Sequence, residues 1–212
     1  MSLRPVIAIH GGAGRVAKSG ADRRRKALGA ALDAGYEILQ GGGSSLDAVA
    51  ATVAALEDSA LFNAGRGAVR NAQGRLELDA SLMEGARLRA GGVACVSRIR
   101  NPILAARAVM EHSKHVLLAG TGAERFARKH NIAFVDTRYF RMSRSAHGTV
   151  GAVALDREGN LAAATSRRLH RQAARPRRRL ADHRCRHLRR QPQLRRLRHR
   201  RGRVLHPRGG GL

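Results

Sequence analysis

The chain has 212 residues, 43% of them apolar, long enough for one ordinary soluble domain with a buried core. Its formal net charge of +26 is unevenly placed: residues 1–166 carry 23 Lys or Arg against 14 Asp or Glu, whereas residues 167–212 carry 18 Arg against Asp182 alone. Only Cys95 and Cys185 are present, which excludes a disulfide framework or a cysteine metal cluster, and no stretch approaches the ~20 apolar residues of a membrane span. The expected location is cytoplasmic, with no membrane partner.

Val6 to His10 is a short apolar, β-branched run ended by Gly11, Gly12 and Gly14, which predicts a buried strand running into a glycine loop. From Ala21 to Gln40, Leu28, Ala31, Leu32, Tyr36 and Leu39 recur at helical spacing until Gly41, Gly42 and Gly43 stop the helix. Ser44 with Asp47 three residues later resembles a capping box, and Leu46, Val49, Ala50, Val53 and Leu56 continue as an apolar stripe. Two successive helices of this kind should pack together on one face of a sheet.

Asn71 to Gly74 is a turn signal, after which Leu76, Leu78, Ala80 and Leu82 alternate with polar residues as a half-buried strand requires. Arg87 to Ser97 reads as its hairpin partner. Asn101-Pro102 opens a helix with Pro at its first position and with Leu104, Ala105, Ala108 and Val109 expected inward. Val116 to Leu118 is a brief strand, Gly120 to Lys129 a further helix, and Asp136 to Ala146 an exposed linker. Val150 to Leu155 and Leu161 to Ala164, separated by Asp156-Arg-Glu-Gly-Asn160, form a hairpin headed by Gly148-Thr149. Periodicity alone supports an α+β chain with antiparallel pairs.

From Arg167 onward there is no Lys, Glu, Ser, Thr, Asn, Ile, Phe, Tyr or Met in 46 residues. Such a segment cannot build a core, and its bland reading is a disordered basic tail whose charge would bind nucleic acid without specificity. Another reading fits better. Joining the last two bases of each codon to the first of the next re-reads Arg167 to Ala181 as GGxTGKLPGRVGDSP, so the tail reads as an out-of-frame translation that begins after Ser166.

The segment from His147 to Asp156, followed by Gly159 to Ser166, resembles the autocleavage site of the plant-type asparaginase and isoaspartyl-peptidase family of N-terminal nucleophile hydrolases. Ile7 to Gly14, Leu61 to Gly67, Leu78 to Ala80 and Arg100 to Arg107 are similar to further family motifs, so the resemblance spans nearly all of residues 5–166. It implies an αββα four-layer sandwich, incomplete here: residues 1–148 as the α-chain portion with its linker at 136–146, residues 149–166 as the start of the β-chain, and 167–212 as the altered tail. It further implies that Gly148-Thr149 is the scissile bond and Thr149 the catalytic nucleophile. A terminal Thr supplies both a hydroxyl and an α-amine whose pKa near ~8 lets it serve as its own base. Glycine before it permits the strained backbone that an N-to-O acyl shift needs.

By the same resemblance Asn63 lies near the cleavage site. The carbonyls of Leu56, Glu57, Ser59, Phe62, Ala64 and Arg66 form a loop around a structural sodium ion. No cofactor is required for the chemistry. The implied substrate is a small molecule, asparagine or an isoaspartyl dipeptide, and the implied assembly is a homodimer of cleaved chains. On bland grounds Asn63 is a turn residue, an apolar helix end is core, and His10 is a hydrogen-bonded structural histidine. The glycines after His10 lack the Lys-Ser/Thr ending and spacing of a phosphate loop.

One departure bears on activity. The family follows Ser166 with Thr-Gly-Gly, then with an Arg and an Asp that grip the substrate and a Thr-Gly oxyanion pair, where this chain has Arg167, Arg168 and Leu169. Three expectations follow: an impaired Thr hydrolase, an inactive truncated fragment, or a non-enzymatic product whose tail binds polyanions.

Overall fold

Six strands form one sheet in the spatial order β1-β5-β6-β2-β3-β4. In chain order they are β1 (Val6–His10), β2 (Leu78–Glu84), β3 (Ala90–Val96), β4 (Leu117–Ala119), β5 (Val150–Leu155) and β6 (Leu161–Arg168), with helices α1 (Ala21–Gln40), α2 (Ser45–Asp58), α3 (Pro102–His112) and α4 (Gly120–Lys129) between them. The computed structural model describes residues 3–12, 20–71, 73–140 and 148–168, all within the unit Met1–Gln172. Gly14, residues 141–146 of the expected linker, His147 of the expected cleavage motif and the tail from Leu169 lie outside the described residues.

Every strand pair is antiparallel except β3–β4, which is parallel and joined through α3. The alternation of side chains along each strand divides the sheet into two faces. Leu82, Ala152 and Ala164 lie in one cross-strand row and are buried; Met83, Val153 and Ala163 lie in the next and are exposed. α2 packs on β5 and β6, and α3 on β3 and β2, all against the buried face. Ala152, Ala154, Ala162 and Ala164 leave room for α2 to approach closely, presenting Val49, Val53 and Leu56 with no exposure. α1 lies on α2 through Ala31, Gly35 and Leu39.

The helix starts and stops follow their local chemistry. Ser44 Oγ accepts the Asp47 N–H at 3.1 Å, which caps α2, and Gly42 at φ +84° takes the left-handed turn after α1. Asn71 closes its turn by accepting from Gln73 and Arg75 N–H through Oδ1.

Several expectations need correcting. Among the described residues β1 is an edge strand with Val6 54% exposed, not a buried one, because β5 covers one side of it and no described strand covers the other. Of the residues expected inward on α3, Ala105, Ala108 and Val109 are buried but Leu104 is exposed, because the inner face centres on Ala105, Ala106 and Val109 and takes Ile103 and Met110 at its margins instead. Asp136, Thr137 and Arg138 are exposed as expected of the linker, but Tyr139 Oη donates to Asp58 at 2.9 Å and Phe140 is buried. β6 runs two residues past Ser166, with Arg167 and Arg168 paired to Asp79 and Leu78. The described residues form one sheet with its four helices, part of what the expected four-layer sandwich would contain. Among them no helix is long and apolar enough to cross a membrane.

Candidate active site

The antiparallel order gathers the end of β1, the start of β5, the end of β6 and the start of β2 at one end of the sheet. Thr149 stands there, half-buried, one residue before β5, and Gly148 ahead of it has φ +116°. That dihedral is open to glycine and strained for other residues. Val150 pairs with Ser166, so one further step of the register sets Thr149 across from Arg167, which pairs with Asp79. The alternation puts Thr149 and Arg167 on the uncovered face, with Gly151 and Thr165 in the adjoining row. Thr165 Oγ1 donates to the Val150 carbonyl at 3.0 Å, fixing the residue that follows Thr149. A cavity of about 190 Å³ opens on this face, lined among others by Asp79, Ser81, Thr165 and Arg167.

The glycine loop after β1 closes the same end. Gly11 lies so near Phe62 that a Cβ would come within 2.6 Å of the ring, which brings the loop after α2 against the glycine loop. His10 is exposed, and its ring packs on Gly151, where a Cβ would meet Nε2 at 2.6 Å.

Residues 59–69 form the loop in which Asn63 and the expected cation ligands Ser59, Phe62, Ala64 and Arg66 lie, while Leu56 and Glu57 belong to the last turn of α2. Asn63 Oδ1 accepts the Val69 N–H at 3.2 Å, so its described role is to close that loop. The turn Gly65–Gly67 presses against carbonyl oxygens: a Cβ on Gly65 would lie 2.4 Å from the Glu57 oxygen, and one on Gly67 2.2 Å from the Phe62 oxygen and 2.8 Å from that of Ala60. The Leu56 and Ala64 carbonyls accept from Ser59 and Gly67 N–H and each keeps a second lone pair. A crowd of hard oxygen donors fits a small monovalent cation. The Arg66 guanidinium stands 5.4 Å over the Tyr139 ring, with its Nε buried and without a hydrogen-bond partner.

Sequence reasoning missed the polar groups beneath this end. The Glu57 side chain is fully buried, its oxygens 3.2 and 3.4 Å from the Ile103 N–H in the first turn of α3. Burial pushes its carboxyl up to about 8, against hydrogen bonds from Ser166 and the Ile103 backbone that favour the anion. A signal existed: Glu57 stands four residues after Val53, on the apolar stripe itself. Beside it, burial acts to raise the Asp58 carboxyl, but hydrogen bonds from Arg100, Tyr139 and Asn101 outweigh it and hold Asp58 below the ordinary carboxylate range. Asp79 Oδ1 accepts the N–H of Cys95, whose φ of +56° marks the bulge where the β2–β3 register shifts.

With this geometry in place, comparison with known sequences is decisive on kinship. The family profile described as Asparaginase matches residues 3–147, about two thirds of the chain. The chain belongs to the asparaginase family. An isoaspartyl peptidase/L-asparaginase of Danio rerio is 42% identical over 184 residues, covering 77% of this chain and 59% of its own. An isoaspartyl peptidase of Escherichia coli K12 is 42% identical over 194 residues, covering 77% and 60%, and a human isoaspartyl peptidase/L-asparaginase is 40% identical over 185 residues with the same coverage. This asparaginase-family chain therefore spans about 60% of the length of the curated relatives it matches. The mixed α and β architecture agrees with an N-terminal nucleophile hydrolase fold.

Proposed function

We propose that the chain is a self-cleaving threonine hydrolase of asparagine or β-aspartyl dipeptides, impaired by the residues that follow Ser166. The observation that carries this is Gly148 at φ +116° immediately before a half-buried Thr149 at the head of β5. The relatives' names, isoaspartyl peptidase and L-asparaginase, support the substrate class.

In the first step the Thr149 Oγ attacks the Gly148 carbonyl carbon, the Gly148–Thr149 C–N bond breaks, and the hydroxyl proton passes to the departing nitrogen. Water then hydrolyses the ester, leaving a Gly148 carboxylate and a free Thr149 amine. In turnover that amine takes the Thr149 hydroxyl proton while Oγ attacks the substrate's side-chain carbonyl. Ammonia or the neighbouring amino acid leaves with a proton, and a second water releases aspartate. The carbonyls of Leu56, Glu57, Ser59, Phe62, Ala64 and Arg66 would hold a structural sodium ion that stiffens the loop carrying Asn63, without entering the chemistry.

Impairment follows from Arg167. The register sets a bulky cation across from Thr149 where the family resemblance implies a Thr, and the expected substrate clamp and oxyanion donors would fall in the Arg-rich tail. A reading-frame change after Ser166 accounts for that tail. Incubating the purified chain and following its intact mass tests the proposal. Cleavage gives pieces of 148 and 64 residues that Thr149→Ala does not give, and a parent chain that stays whole refutes self-cleavage.

A further inference from the structure

Self-cleavage poses a chemical requirement that later turnover does not. Before the cut the Thr149 nitrogen is an amide, so it cannot be the base that a free terminal amine supplies, and the Thr149 hydroxyl proton needs another carrier to the departing nitrogen. Among the described residues of β1, β5, β6 and β2, the uncovered face carries two side chains with a titratable acceptor, His10 and Asp79. Asp79 is two strands from Thr149, about 10 Å away with Arg167 between them, and its Oδ1 accepts the Cys95 N–H at 2.8 Å. A guanidinium such as that of Arg167 has donors and no acceptor.

His10 is placed differently. It pairs with Gly151 across the β1–β5 ladder, and its ring turns onto β5: a Cβ on Gly151 would lie 2.6 Å from Nε2 and 3.2 Å from Cδ2. Imidazole thus occupies the place that a side chain at position 151 would take, which gives a physical reason for glycine inside that strand. Thr149 precedes Gly151 by two residues on the same face, about 7 Å back along the strand, the reach of a threonine hydroxyl and one bridging water. Diagonal neighbours across a ladder meet when one of them is a ring. His10 is exposed, so water has access to the space between them.

We propose that His10 carries the proton in self-cleavage. Directly or through one water it takes the Thr149 hydroxyl proton as Oγ bonds to the Gly148 carbonyl carbon, and it returns that proton to the Thr149 nitrogen as the C–N bond breaks. Imidazole is the side chain suited to accept and return a proton near neutrality. The assignment rests on Thr149 being the cleavage residue.

Timing self-cleavage of the full chain by intact mass tests this. His10→Ala should cleave at least about a hundredfold more slowly than the parent, and free imidazole added to it should recover at least about tenfold. His10→Gln, which fills the same place and hydrogen-bonds but moves no proton, should be as slow as His10→Ala and gain nothing from imidazole. If His10 only fills the space over Gly151, His10→Gln cleaves at the parental rate and imidazole leaves His10→Ala unchanged; either result overturns the proposal. Should His10→Ala fail to fold, the rate of His10→Gln decides alone. A parent chain that stays whole refutes the proposed function instead, and His10 is then judged by its imidazole nitrogen resonances, identified by their loss in His10→Gln. They should shift in Thr149→Val, and resonances that stay in place overturn the pairing of His10 with Thr149.

Discussion

The Asp156 carboxylate accepts the backbone N–H of Ser45 at 3.1 Å, joining the β5–β6 turn to the first residue of α2 across 111 positions of sequence. Its other oxygen accepts from Glu158 and Asn160 N–H within the turn. A carboxylate at a helix start meets unsatisfied N–H groups and the positive end of the helix dipole. One side chain thereby holds the hairpin turn and docks the hairpin on the helix layer.

Burial acts to raise the Asp156 pKa, but the backbone N–H groups of Ser45 and Asn160 outweigh it and the value is lowered. A lowered folded-state pKa stabilises the fold above the ordinary carboxylate value and loses that stabilisation as pH falls through the folded one. Thermal melts between pH 7 and pH 3 should therefore show a downward step for the parent at acid pH that Asp156→Ala lacks. At pH 7 the variant should be less stable by about 1.5–3 kcal/mol in urea. Equal melting temperatures at pH 7 would show that the Ser45 contact contributes nothing.

Gly148 should tolerate no side chain without a penalty. Gly148→Val places a β-branched residue at φ +116° and should destabilise the local backbone by about 1–3 kcal/mol. Self-cleavage, timed by intact mass, should slow by at least about tenfold, since about 1.4 kcal/mol of lost alignment is worth that factor. A Val variant that cleaves at the parental rate would remove the role given to this dihedral.

The carbonyl-lined turn makes a paired prediction. Gly67→Ala drives a methyl group against the Phe62 and Ala60 oxygens and should destabilise the fold by about 1–3 kcal/mol. If the loop holds sodium, the parent should melt higher in sodium chloride than in choline chloride at equal ionic strength, and Gly67→Ala should lose that difference. Indifference of the parent to the cation argues against the ion.

Tyr139 and Asp58 anchor the stretch that leads toward the cleavage position. Tyr139→Phe removes a 2.9 Å hydrogen bond and should lower stability by about 0.5–1.5 kcal/mol. Limited trypsin digestion should cut faster at Arg138 in the variant, and an unchanged cleavage pattern would show that Phe140 alone holds the segment.

Most of the secondary structure was legible because its cues are local. The bounds of α1 follow from glycines at its end, those of α2 from the Ser44 cap, and the β5–β6 hairpin from Asp156 to Asn160. What the sequence could not display is pairing at a distance. That β1 lies at an edge depends on β5, more than a hundred residues later, and Leu104 faces outward because α3 must seat Ile103 and Ala106. Thr149 was found through motif resemblance, not through any property of an isolated Gly-Thr. Glu57 carried a signal in its place on the apolar stripe, but the long reach of Asp156 was not legible, since a turn carboxylate reads as a solvated charge until its distant partner is brought to it.

The strand order bears on what a cut at Gly148–Thr149 would do to the molecule. The hairpin of β5 and β6 is inserted between β1 and β2, both of which precede the cut. The two products would therefore be woven into one sheet, with main-chain hydrogen bonds along both flanks of the shorter piece. Separation would require opening two ladders at once, so the severed protein should migrate as a single species under native conditions and divide only when denatured.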